Sequence, residues 1–263
     1  MRRPLAVNLT IATAVCLAAL SAPATAVAET AQEQIEETLA FAAGNLLSVT
    51  NTNGDIYIEP WDREEALIVA KKRVKTRRGD AQEALEELRV QIDADSGGIE
   101  IDTYYPSWKK LFGWSEVSAS VDYDIKLPRR ANLNVRTTNG EVEIHGIGGE
   151  IRLRSTNGGL TVSDASGSVS AGTTNGAIQV ELDAVDAASE MEFETTNGGI
   201  RLYLPSTIQA SLSARTTNGT IETDFPVTVS GTYRRNRLEG DINGGGPIVE
   251  LRTTNGSIRI RER

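Results

Sequence analysis

The tripeptide Thr-Asn-Gly occurs seven times in the chain, with its Asn at Asn53, Asn139, Asn157, Asn175, Asn197, Asn218 and Asn255. The successive spacings are 86, 18, 18, 22, 21 and 37 residues, so four consecutive gaps fall between 18 and 22. Recurrence at a near-constant short period marks a repeat architecture, in which each unit buries its apolar face only by stacking on its neighbours. The gap of 37 is expected to hold two units with one degenerate copy, for which Ile242-Asn243-Gly244 is the candidate, and the gap of 86 must contain an insertion.

Alignment on the Asn gives each unit a shape. Three residues after it stand Ile56, Val142, Leu160, Ile178, Ile200, Ile221 and Ile258, and five after it Ile58, Ile144, Val162, Val180, Leu202, Thr223 and Ile260. Four residues before it stand Val49, Val135, Leu153, Ala171, Phe193, Ala214 and Leu251. Alternation with a period of two is the pattern of a strand with one buried face, so one strand enters the motif and another leaves it. The inward offsets are even before the Asn and odd after it, so the corner must absorb one extra residue. Gly suits that position because it adopts positive φ without steric cost. Asn-Gly is also a strong hairpin signal, but a meander gives little reason for the same tripeptide at every second turn. In a solenoid the corners stack at about 4.8 Å, and identical amides can bond from rung to rung. A Thr two residues before the Asn (Thr137, Thr173, Thr195, Thr216 and Thr253, with Ser155 and Asn51 as substitutes) predicts a second, inward polar row.

Residues 1–28 read as a signal peptide. Arg2 and Arg3 precede a mostly apolar stretch over residues 5–20, and Ala26-Val27-Ala28 offers the small residues of a cleavage site. Asn8, Thr10, Thr13, Ser21 and Pro23 interrupt any membrane-spanning run, and no later segment is apolar enough to span a bilayer. Residues 29–45 are expected to be a helical cap, with Ile35, Leu39 and Phe41 on its inner side, and residues 46–263 the β-repeat domain. Within the insertion, about residues 62–130, residues 66–74 read as a strand. Asp80 with Glu83 opens a short helix to about Leu88, and residues 90–95 and 99–103 form a hairpin around Ser96-Gly97-Gly98.

The chemistry is bounded by composition. A net charge of −9 opposes binding to a phosphate backbone, so nucleic acid is not an expected partner. One Cys, Cys16 in the leader, and one His exclude disulfide frameworks, multi-cysteine metal sites and imidazole clusters. Only Asp55 follows a Thr-Asn-Gly, whereas calcium-binding nonapeptide repeats need regular Asp. No metal, cofactor or catalytic residue is therefore predicted. His145 beside Glu143 reads as a solvated surface residue, as do the carboxylate pairs Glu181 with Asp183 and Asp122 with Asp124, although a polysaccharide lyase or hydrolase could use such pairs. Arg234, Arg235 and Arg237 read as a solvated basic turn.

The one non-repeat candidate for contact is the aromatic segment of Trp108, Phe112 and Trp114, with Lys109 and Lys110 between them. Aromatics interleaved with Lys suit sugar stacking, a membrane interface or a protein partner, and equally the sealing of the solenoid's side.

Thr137-Thr138-Asn139-Gly140-Glu141-Val142-Glu143-Ile144 and its six relatives resemble the exported bacterial β-strand-repeat family known as "putative adhesin", a domain family of unknown function. The resemblance covers about residues 46–263. It implies a β-solenoid-like fold and an envelope or surface location, and it carries no catalytic residues over. The expectation is an all-β solenoid of about 18–22-residue rungs with an Asn-Gly corner ladder, a short N-terminal helix and one small helix-containing insertion. Its expected role is an adhesin-like or envelope-associated module, in the periplasm, at the cell surface or outside the cell, contacting a surface glycan or an envelope protein. The alternatives are a polysaccharide-active enzyme and an accessory of envelope-stress signalling.

Overall fold

The computed structural model describes residues 28–77, 79–108, 117–185, 189–229 and 234–263. The leader, apart from Ala28, lies outside the described residues. The described residues open with β1 (Glu29–Ala40), β2 (Leu46–Thr50), β3 (Ile56–Trp61) and β4 (Glu65–Thr76), followed by α1 (Ala81–Glu87). β5 (Arg89–Ala94), β6 (Gly98–Tyr104) and β7 (Val117–Pro128) complete the insertion. β8 (Asn132–Arg136), β9 (Val142–His145), β10 (Gly148–Arg154), β11 (Leu160–Asn175), β12 (Ile178–Val185), β13 (Met191–Asn197) and β14 (Ile200–Leu204) carry the regular repeats. The last elements are β15 (Ala210–Asn218), β16 (Ile221–Thr223), β17 (Val227–Val229), β18 (Arg237–Ile242), β19 (Ile248–Asn255) and β20 (Ile258–Glu262).

These 20 strands form one continuous hydrogen-bonded sheet, which the corners divide into two faces in a solenoid-like stack. Strands that enter a corner make the first face, in the order β5, β6, β2, β8, β10, the end of β11, β13, β19, β15, β18, β17. Strands that leave a corner make the second, in the order β1, β4, β7, β3, β9, the start of β11, β12, β14, β20, β16. Pairing is parallel throughout the middle, and among the described residues antiparallel strand pairs occur only towards the ends of the stack, in β1–β4–β7, β5–β6 and β15–β18–β17. Each inward Ile, Leu or Val in the aligned rows is shielded between the faces, a burial that contributes about 1.5–3 kcal/mol per side chain. β11 runs through the second bend of its rung, where its pairing with β12 shifts register between Val162 and Ser166.

Three expectations are corrected. Residues 29–40 form strand β1, not a helix. Ala31, Ile35 and Leu39, all half-buried, satisfy a period of two as well as a period of four, and the open edge of β4 settles the choice by offering backbone partners along its whole length. Lys72, on the core-facing side of β4, is 6% exposed and meets Glu33 of β1 at 2.5 Å, a pairing that only the strand provides. Asn243 is not a rung corner. It turns between β18 and β19 with φ of 49°, and its Nδ2 donates to the carbonyls of Ser206 and Ile208. The 37-residue gap therefore holds an antiparallel excursion, β17 and β18, and among the described residues no extra rung.

The helix expected inside the insertion is present. Asp80 Oδ1 accepts from the backbone N–H of Gln82 and of Glu83 at 2.8 and 3.2 Å, and Ala81, Ala84, Leu85 and Leu88 are buried. α1 lies against β1 and β4 and covers that end of the core. The insertion adds a rung of its own, because β6 and β7 pair in parallel with β2 and β3 without a Thr-Asn-Gly between them.

Corner glycines are dictated by proximity more than by φ. A Cβ on Gly158 would stand 1.9 Å from the Gly140 carbonyl oxygen, and one on Gly198 would stand 1.9 Å from that of Gly176. Gly198→Ala should therefore lower stability by about 3 kcal/mol or more. Gly44→Ala, at φ of +88° with open space around it, should cost only about 1–2 kcal/mol. Urea unfolding of the two variants measures the difference, and equal losses would contradict the steric account.

Candidate contact surface

The corner residues separate by depth. The Asn side chains lie on the outside and bond to one another in an unbroken row. Asn139 Nδ2 donates to Asn53 Oδ1 at 2.6 Å, Asn157 to Asn139 at 2.8 Å, Asn175 to Asn157 at 2.8 Å and Asn197 to Asn175 at 2.7 Å. Asn255 then donates to Asn197 at 2.7 Å and Asn218 to Asn255 at 2.8 Å. The row thus runs out of sequence order at its far end. Backbone bonds run beside it, with Gly140 N–H donating to the Asn157 carbonyl and Gly158 N–H to that of Asn175. The buried Thr row does different work: Thr173, Thr195, Thr253 and Thr216 donate to the carbonyls of Gly158, Gly176, Gly198 and Gly256 at 2.8–3.1 Å. Thr, not Asn, satisfies these inner carbonyls. Thr137 Oγ1 and Ser155 Oγ are buried without such a bond. Between the rows stand Thr138, Thr156, Thr174, Thr196, Thr254 and Thr217, all exposed. The corner edge is therefore a double comb of Thr hydroxyls and Asn amides.

Tyr105 closes the Asn53 end. Its hydroxyl lies 2.6 Å from the Asn53 carbonyl oxygen and 3.0 Å from Asn51 Oδ1, and it accepts from the Asn53 backbone N–H at 3.3 Å. Asn51 Nδ2 in turn donates to the Val121 carbonyl at 2.9 Å. Burial pushes the Tyr105 phenol up to about 12 and raises that of Tyr123, whose hydroxyl sits 2.6 Å from Thr103 Oγ1. Nothing in the repeat pattern pointed to Tyr105, since it stands outside every motif copy. Trp108, three residues on, is half-buried and packs against the core. Phe112 and Trp114 lie outside the described residues.

The other singled-out side chains are on the surface. His145 is half exposed, with Nδ1 3.0 Å from Ser163 Oγ and 3.2 Å from Asp164 Oδ2. Arg263 also meets Asp164 and reaches Asp183 at 3.0 Å. Its guanidinium holds the Asp164 carboxyl below the usual carboxylate range. Asp122 Oδ1 accepts from the Asp55 N–H at 3.1 Å, and Arg237 pairs with Glu239 at 2.6 Å. Among the described residues no group of three or more His, Cys, Asp or Glu side chains is placed to hold a metal ion, and no helix is long and apolar enough to cross a membrane.

The family profile described as Toastrack DUF4097 matches residues 45–261. The chain belongs to the Toastrack DUF4097 family. No curated protein matches it. Among solved structures, this Toastrack chain is similar to a "putative cell adhesion protein" from Clostridium sporogenes, at 14% identity and a TM-score of 0.50, over 89% of this chain and 100% of that one. A "putative adhesin" from Bacteroides fragilis matches at 10% identity and a TM-score of 0.45, over 88% and 97% of the two chains. The first of these likenesses concerns the fold alone.

Two outcomes follow from the inner polar groups. Thr195→Val should cost about 1–2 kcal/mol by stranding the Gly176 carbonyl. Thr137→Val, which removes an unbonded buried hydroxyl, should be neutral or stabilising in the same urea assay. In alkaline solution the buried phenols favour the folded state only while protonated. Stability should therefore hold up to pH about 10, the ordinary phenol value, and fall as pH rises towards about 12, the folded-state value for Tyr105. Circular dichroism against pH reads this, and Tyr105→Phe should move the alkaline midpoint upward.

Proposed function

We propose that the protein is a non-catalytic, exported contact module of the cell envelope, adhesin-like in its mode of action. The observation that carries this reading is the distribution of its polar side chains. On the outside the Thr and Asn comb stands in registered rows, and several charged side chains pair across strands, as Arg154 does with Glu192 and Arg261 with Glu222 and Asp224. They do not converge on a cleft. A surface of this kind suits repeated weak contacts with an extended partner better than bond-breaking at a point. Membership of the Toastrack family and the cell-adhesion name of the similar Clostridium sporogenes protein support the same reading, and the leader-like residues 1–28 support export. We assign the partner to surface glycans or envelope proteins. The aromatic segment of Trp108, Phe112 and Trp114 is the anchor and the comb the extended contact.

A glycan array and a pull-down from envelope fractions test this with three proteins: the unmodified chain, a Trp108→Ala, Trp114→Ala double variant, and a Thr156→Ala, Thr174→Ala, Thr196→Ala triple variant. Loss of about tenfold or more in retention by the aromatic variant is expected, since buried Trp anchors dominate contact energies, with a smaller loss from the comb variant. Retention unchanged in both would discard the assigned surface.

A further inference from the structure

The last residues of the chain do not lie at the end of the stack. β19 is inserted between β13 and β15, and β20 between β14 and β16. The rung containing Asn255 therefore occupies a slot between the rungs of Asn197 and Asn218. The walls of that slot are in register with each other. Phe193 and Ala214 both pair with Leu251, Thr195 and Thr216 with Thr253, and Asn197 and Asn218 with Asn255. On the second face, Ile200 and Ile221 both pair with Ile258. Each wall offers the inserted segment the bonds that any rung offers its neighbour, so the segment's place depends on chemistry that every copy of the chain carries.

The connection into the slot has the character of a hinge. β18 runs antiparallel to one side of β15 and β19 runs parallel to its other side, so the chain must pass round the start of β15. It does so through Asn243-Gly244-Gly245-Gly246-Pro247, in which three successive residues have φ of 49°, 91° and 85°. The mouth of the slot is also loosely filled. A cavity of about 340 Å³ opens there, lined by Met191 and Pro205 from one wall, Ile208 and Ala210 from the other, and Gly246 and Pro247 from the hinge.

We propose that residues 247–263 are an exchangeable rung, which two copies of this chain swap, each filling the other's slot. The exchanged pair keeps every rung-to-rung bond and every inward side chain of the single chain, and differs only at the hinge. The closed form holds its own rung at an effective concentration on the order of millimolar, so exchange competes where chains are crowded to that level, as at a surface. Gly245→Pro should favour exchange. Proline cannot adopt the left-handed φ at this position and removes the N–H that donates to the Ile242 carbonyl at 3.1 Å.

Position 194 on β13 faces position 252 on β19, which allows a direct test in the full chain carrying Cys16→Ser. Chains with Glu194→Cys alone and Arg252→Cys alone are mixed, unfolded, refolded together under oxidising conditions and analysed by light scattering and non-reducing peptide mass spectrometry. Refolding at about 1 mM should give several-fold more dimer than refolding at about 10 µM. The pairs of unlike chains within that dimer should contain a disulfide between position 194 of one chain and position 252 of the other, and Gly245→Pro should raise the dimer's share further. The double variant, oxidised within one chain at the lower concentration, should then stay monomeric at the higher one. Monomer alone at both concentrations, a dimer population in which no 194–252 link forms, or a dimer that persists when the rung is locked would each overturn the proposal. The unsubstituted chain refolded in parallel reports dimer formation free of any effect of the new cysteines.

Discussion

The structure depends on how closely successive corners approach. At each Asn-Gly the backbone passes so near its neighbour that a single Cβ would fall within 1.9–2.1 Å of a carbonyl oxygen. That approach lets six of the seven corner Gly N–H groups reach the Asn carbonyl of an adjoining rung, the Asn amides bond along their row, and Thr173, Thr195, Thr216 and Thr253 reach Gly carbonyls. Once the corners are locked, both faces inherit one register, and the aliphatic rows at fixed offsets stack like on like. Each polar corner bond adds only about 1 kcal/mol net. Their effect is to exclude other registers, which hydrophobic burial alone would tolerate.

How much of this could be foreseen follows from how many neighbours each choice involves. The inward rows, the strand on either side of each Asn and the capped helix at Asp80 are set by residues close in sequence, and their patterns are visible without coordinates. β1 depended on something distant. Ile35 and Leu39 fit two periods equally, and only the unfilled edge of β4 and the buried Lys72 decide between them. Tyr105 became an end cap because β6 and β7 pass beside Asn53, a placement that no motif encodes. The order of the last rungs was hidden for a related reason. When every rung presents the same surfaces, sequence order does not determine spatial order, and the turn at Asn243 resembles a corner while serving as a crossing.

Both ends of the stack are finished differently from its middle. Antiparallel strands, the helix α1 and the Tyr105 hydroxyl close one end, while β17 and β18 cover the first face at the other. Parallel rungs left open would invite further strands to add. Closure of this kind confines growth to a set length and leaves the long corner edge as the repetitive surface. That edge displays the rows of Thr hydroxyls and Asn amides, repeated rung by rung.

The corner bonds also bear on chemical ageing. Asn followed by Gly is the pair most open to deamidation, in which the Gly nitrogen attacks the Asn side-chain carbonyl carbon, closes a succinimide ring and expels ammonia. In six of the seven corners that nitrogen already donates to the Asn carbonyl of the adjoining rung, and the side-chain amide is held by its neighbours in the row. The folded rod thus shelters a sequence that an unfolded chain would steadily convert, by hydrolysis of the ring, to aspartate and isoaspartate, and the arrangement that fixes its register also prolongs its covalent lifetime.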